Sequence, residues 1–301
     1  MSASLTPHAE ADGSVLLITG ATGRTGGHAA RLLLERGHRV RAMVRRFDDR
    51  AAHLSDIGAE VIVGDLHSLA DLRAAAEGVS AAYFVHPISP GLIEATATFA
   101  QAAHEAGVSF VVNMSQISAR RDATSIAARS HWLAERILDW SPLAVTHLRP
   151  TFFAEWFIFF PWVLDNEGVL HLPFADGRHA PIAAEDQGRV IAAILENPDE
   201  HAGAIYPLFG AEEMNHDEIA EAISRAAGRQ VRYEPADIDT WTKELQSHGF
   251  SEYLAQHLGS VAVDYRNGIF SGTNDIVARV GGKEPMTIEE FVTANRAAFS
   301  S

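Results

Sequence analysis

Val15-Leu-Leu-Ile-Thr-Gly-Ala-Thr-Gly-Arg-Thr-Gly-Gly27 is the stretch from which the architecture of this chain is read. Residues 15–19 form a short apolar and β-branched run of the kind a buried strand uses. Glycines follow at G-x-x-G-x-x-G spacing, at Gly20, Gly23 and Gly26. Beyond them Ala29, Ala30, Leu33 and Leu34 recur at helical spacing. Strand, glycine turn and helix, in that order, are the context of a dinucleotide-binding loop. The first glycine permits the sharp turn, and the last lets the helix pack close to the strand. Free N–H groups at the helix start then face a pyrophosphate.

Outward from this loop, strands and helices alternate. Residues 39–44 read as a second strand that ends in Arg45-Arg46. An NAD-binding unit carries an acidic residue at this strand end, for the ribose hydroxyls. Arginines there suit a 2′-phosphate instead, so NADP(H) is the expected cofactor and Arg45 its contact. Asp48 and Asp49 read as the N-cap and first turn of the next helix. Residues 60–64 form a third strand with Asp65-Leu66 at its carboxyl end, where Asp65 either meets adenine or caps the helix starting near Ser68. Further strands are expected at 81–86, 109–113 and 144–148, and helices at 91–106 and 125–140. This alternation implies an α/β chain with a doubly wound parallel sheet of the Rossmann type.

The dinucleotide-binding domain is therefore expected over 14–150, after a flexible polar tail at 1–13. From Thr151 the texture changes to an aromatic-dense stretch. Segments 151–180 and 211–301 are expected to build a smaller C-terminal substrate-binding cap, while about 181–210 returns to the main domain with a helix to about 197 and a strand at 204–209. Asn215-His-Asp-Glu218 is a capping box before a helix at 219–227 that Gly228 ends. Residues 230–233 look extended, and helices are expected at about 238–247, 251–258 and 288–298.

Composition narrows the function classes. A formal net charge of −15 repels nucleic-acid phosphates, so no nucleic-acid partner is expected. The chain has no cysteine, hence no disulfide, thiolate nucleophile or thiolate metal site. Its 15 histidines are scattered without H-x-x-x-H or HExxH spacing, and no metal site is expected. The longest apolar stretch, 152–164, is broken by Glu155 and Pro161 and is too short for a bilayer. The first 13 residues lack the features of a signal peptide, so a soluble, cytoplasmic protein without a membrane partner is expected, as a monomer or homodimer.

These residues together resemble the NmrA-like, atypical short-chain dehydrogenase/reductase family, which includes NADPH-dependent quinone reductases, triphenylmethane reductase and redox-sensing regulators. The resemblance rests on Gly20-Ala-Thr-Gly-Arg-Thr-Gly26, Val44-Arg45, Gly64-Asp65-Leu66, Leu148-Arg149-Pro150 with Phe153 behind it, Glu185-Asp186-Gln-Gly188 and Pro285-Met-Thr-Ile-Glu-Glu-Phe-Val. It implies that Gly20, Thr22, Gly23, Arg24, Thr25 and Gly26 hold the pyrophosphate and Arg45 the 2′-phosphate. Asp65 and Leu66 would then flank adenine, His86 and Pro87 would line the ribose near nicotinamide, and the backbone after Pro150 would meet the carboxamide.

The proton-relay pair of this superfamily, Tyr-x-x-x-Lys, is absent, because no tyrosine has a lysine four residues later and the only lysines are Lys243 and Lys283. Setting Glu135 on the glutamate of the usual helix pattern puts Ala127 and His131 at the Tyr and Lys positions. Alcohol oxidation and simple ketone reduction lean on that pair. A quinone or extended enone asks less, since charge from an arriving hydride spreads over the conjugated system. Phe152, Phe153 and Trp156 then read either as walls for a flat aromatic or conjugated carbonyl substrate or as a buried helix packed on the sheet. Ser115, Ser118 and His131 are the candidate catalytic groups: the resemblance implies small hydroxyls near the substrate where Ser115 and Ser118 follow the fifth strand, and His131 lies one helix away. Two functions remain in view: an NADPH-dependent oxidoreductase, and a silent NADP(H)-sensing regulator that binds a protein partner.

Overall fold

The structure, a computed structural model, describes residues 14–159 and 163–299, so the expected tail at 1–13 lies outside the described residues. Seven parallel strands form the central sheet in the order β3-β2-β1-β4-β5-β6-β8. They are β1 (Val15–Thr19), β2 (Arg39–Val44), β3 (Glu60–Val63), β4 (Val79–Phe84), β5 (Phe110–Met114), β6 (Ala144–Pro150) and β8 (Ile205–Leu208). A separate parallel pair joins β7 (Val169–Leu172) to β9 (Arg232–Pro235).

Alternate residues of the inner strands β1, β4 and β5 feed opposite cores, which is why these strands read as apolar runs. Leu16 and Ile18 of β1 pack with α1 (Arg24–Glu35), α2 (Asp49–Asp56) and α7 (Ala184–Glu196). Val15 and Leu17 pack on the other face, with α3 (Leu69–Ala76), α4 (Leu92–Ala106) and α5 (Ile126–Trp140). A third core lies within the cap. It draws Phe152 and Phe157 together with α8 (His216–Ala227), α9 (Ile238–Ser247), α10 (Glu252–Arg266) and α12 (Ile288–Ala294).

The strand order reverses between β1 and β4, since the chain runs outward to β3 before returning. In an open parallel sheet a ligand crevice opens at the carboxyl ends of the strands flanking this switch. Thr19 ties the two ends together, its Oγ1 accepting the Val85 N–H at 3.0 Å. That bond also corrects an expectation: the strand foreseen at 81–86 runs two residues earlier, because the chain leaves the ladder once Val85 turns to Thr19. β7 and α11 (Ile276–Gly281) were not foreseen, and the extended segment expected at 230–233 starts later, at Arg232. The helix expected at 251–258 continues to Arg266, and the last one ends at Ala294 before the short turn α13 (Arg296–Phe299).

Candidate functional site

The glycine loop fits an anion. Gly20 sits at φ +58°, and a Cβ there would come 2.7 Å from Val85 Cγ1. At Gly26 a Cβ would lie 2.6 Å from the Gly20 carbonyl oxygen. The N-cap of α1 is Gly23, which supplies no side-chain cap, and the first turn carries no acidic residue. Its leading N–H groups are thus left for an outside acceptor. Arg24, the first residue of α1, is a cation at the positive end of a helix, a placement that an anion would relieve. Its guanidinium lies over the Phe159 ring, 3.4 Å from the centroid, where α6 (Trp156–Phe159) approaches the loop. Gly26→Ala is expected to cost about 1–3 kcal/mol by overpacking. A lower Tm together with weakened NADPH binding checks it; unchanged binding contradicts the loop's role.

The other expected cofactor contacts are spread around this loop. Thr19 pairs with Met43, which brings Arg45 beside the loop at the end of β2. Arg45 is exposed and has no carboxylate within ion-pair distance among the described residues. Asp48 caps α2 by accepting the N–H groups of Arg50 and Ala51. Asp65 is exposed and accepts from His67 N at 2.9 Å, while Ser68 caps α3. Leu66 leans on the α3–α4 core. Thr22 faces a surface hollow shared with Arg31, Arg50 and His53. The Thr25 hydroxyl turns inward to the buried Tyr83 hydroxyl at 2.9 Å, which leaves only its backbone N–H for an anion.

Beyond the loop, a cavity of about 250 Å³ opens where β4, β5 and β6 end beneath the cap. His86, Pro87, Ser115, His131, Pro150, Phe152, Phe153 and Trp156 all line it, so residues expected to act on cofactor and substrate come together there. No ionised side chain is among the lining residues. Ser118 stands apart: it is buried, absent from the lining, and donates to Gln116 Oε1 at 2.8 Å. The aromatic stretch divides between its two readings. Phe157 is buried in the cap core, while Phe153 and Trp156 are half-buried at the cavity.

The polar groups of the lining have defined capacities. Ser115 Oγ donates its hydrogen to Glu135 Oε1 at 2.6 Å, so toward the cavity it offers lone pairs only. Glu135 is fully buried and is held by Arg149 at 2.8 and 2.5 Å. His86 Nδ1 lies 2.7 Å from the Pro87 carbonyl, which only accepts, so the proton sits on Nδ1 and Nε2 is an acceptor. Burial first, then the nearby His257 and His86, push His131 down to about 3, so this ring is neutral and cannot serve as a charged acid near neutral pH. His257, Leu258, Val261 and Phe270 complete the wall from the cap, and none of them was expected from sequence. The signal for His257 was weak: it lies at the far end of a helix that seemed to stop one residue later.

Known proteins match the whole architecture. An NAD(P)H azoreductase of Xenophilus azovorans is 30% identical over 95% of this chain and 100% of its own length. The solved structure of the NADPH-dependent quinone oxidoreductase QOR2 from Escherichia coli, complexed with NADPH, superposes with TM-score 0.82 at 24% identity and covers 93% of this chain and 99% of its own. NmrA, a negative transcriptional regulator solved with NAD, superposes at 0.80 with 19% identity, covering 93% and 94%. At those identities the two structures speak for the fold alone. With the NmrA-like family matching residues 12–292, the chain belongs to that family.

Proposed function

We propose that this NAD(P)H-dependent oxidoreductase uses NADPH and passes hydride to a flat, uncharged quinone-like or conjugated carbonyl acceptor, without a Tyr-Lys proton relay. The observation that carries this reading is the cavity itself: aromatic, free of ionised groups in its lining, and placed at the carboxyl ends of β4, β5 and β6. When bound, the cofactor supplies a hydride from its nicotinamide ring. Phe152, Phe153 and Trp156 hold the flat acceptor by stacking and exclude water. Ser115, fixed by Glu135, orients groups with its lone pairs. Neutral His131 offers a hydrogen bond, and solvent delivers the proton that completes the product. Arg45, exposed and beside the loop, holds the 2′-phosphate.

The decisive assay is NADPH consumption with a panel of quinones, enones and ketones, with NADH run alongside. Turnover with quinones is expected, and Arg45→Ala is expected to raise the NADPH KM about 10–100-fold with little change for NADH, the size of a lost charge-assisted contact. The sensor reading draws on the missing Tyr-x-x-x-Lys. Tight NADPH binding with no turnover on any acceptor would favour it and overturn the reductase.

A further inference from the structure

Three imidazoles reach the cavity from three separate elements: His86 from beyond β4, His131 from α5 and His257 from α10. Only His257 has its proton placed by a partner so that a donor is left over. His257 Nδ1 lies 2.8 Å from Ser125 Oγ, a contact between residues 132 positions apart. The same oxygen caps α5 by accepting the Ala128 N–H at 3.0 Å. With that lone pair used, the hydroxyl has one hydrogen to place, and among the described residues His257 Nδ1 is the acceptor it meets. The ring therefore carries its own proton on Nε2. That N–H has no protein acceptor among the described residues, although the side chain is nearly fully buried against the cavity. Because His257 lines the cavity, that donor is open there to a ligand atom or water.

We infer that His257 is a substrate-contacting residue, whose Nε2–H grips the acceptor atom on which negative charge develops. This rests on the reductase reading above. In the step, the hydride brings two electrons to the conjugated acceptor and the nicotinamide is oxidised. The resulting oxyanion is held by His257 and takes its proton from water, and the imidazole keeps its own. A neutral ring suits this task because its donor strength does not change through the physiological range. Burial keeps it so, pushing His257 down to about 4. Ser125 acts through His257 as a positioning residue.

The test compares His257→Leu, His257→Gln and His257→Asn in the full chain. Quinone reduction gives kcat and KM, and NADPH affinity serves as the folding control. A second readout, independent of turnover, is the binding of naphthoquinone to the NADP⁺ complex, followed by tryptophan quenching. His257→Leu is expected to lower kcat about 100-fold, as for other lost oxyanion donors, with a smaller rise in KM. Glutamine, whose amide ends near the Nε2 position, is expected to recover most of the rate. Asparagine, whose amide ends near Nδ1 facing Ser125, is expected to stay slow. A leucine variant within twofold of the parent, or glutamine as slow as leucine, overturns the assignment. Should the parent reduce no acceptor, the reductase reading falls and binding alone decides: naphthoquinone affinity unchanged in His257→Leu then overturns the contact too.

Discussion

Acidification to about pH 5 is expected to destabilise this protein strongly, because four imidazoles are buried in uncharged form. His131, His179, His216 and His257 are each 5% exposed or less. Burial pushes His131 and His216 to about 3 and His257 to about 4, and drives His179 well below its ordinary value. The folded state therefore refuses protons that the unfolded chain accepts below its ordinary value of 6.5. Wherever the unfolded state binds more protons, stability rises with pH. Stability is thus full above the ordinary histidine value and is lost as pH falls from there toward the folded values. At about pH 5 each such ring costs about 2 kcal/mol, so the three with defined values cost about 6 kcal/mol, and His179 adds in the same direction. A domain holds about 5–15 kcal/mol in total.

Thermal melts from about pH 8 down to pH 4 measure this directly. A steep fall in Tm below about pH 6.5 is expected, and a loss of only a few degrees by pH 5 contradicts it. The His216 ring has no hydrogen-bond partner at either nitrogen among the described residues and packs on Phe174 and Tyr233. His216→Leu, of similar volume, is expected to match the parent at about pH 8 and to outlast it at about pH 5. Removing an unmet polar group is neutral or stabilising, and removing a protonation site flattens the slope.

Glu135→Leu is the other large effect. Its carboxylate is fully buried, takes two bonds from Arg149 and one from Ser115, and has Arg136 3.6 Å away. Removing one partner of such a pair strands the other charge, at about 3–5 kcal/mol. In a chain of 301 residues that lowers Tm by about 5–8 °C. Adding Arg149→Met is expected to restore at least half the loss, since an apolar pair of similar volume replaces a buried ion pair at little cost. A double variant no more stable than the single one refutes the coupling. Glu135→Leu also frees the Ser115 hydroxyl hydrogen toward the cavity, so its quinone kinetics separate from its stability.

Several elements were legible because their signals are local. β1 and β2 fall at the residues the apolar runs indicated, and Asp48 and Asn215 cap helices as their positions foretold. β4 was misplaced by two residues because its end depends on a bond from Thr19, 66 positions away. The helix α10 runs on through Gly259 and Ser260 to Arg266, past the end expected at 258. There, packing of its apolar face into the cap core overrides propensity. The Thr25 hydroxyl bonds Tyr83 across 58 positions, a contact no local pattern shows, and its backbone N–H is what faces the loop's anion side.

The amino-acid sequence by itself therefore determined the parallel sheet, the glycine loop with Arg45 beside it, and membership of the family. Those features are written in periodicity and spacing within some thirty residues, where backbone sterics and apolar burial act locally. Tertiary structure alone decided which polar groups share the cavity, which hydrogen each still has to give, and which imidazoles stay neutral. Ser125 meets His257 across 132 residues, and Ser115 meets Glu135 across 20. Desolvation, the main force on these rings, is a property of the packed surroundings rather than of any residue's neighbours in the chain.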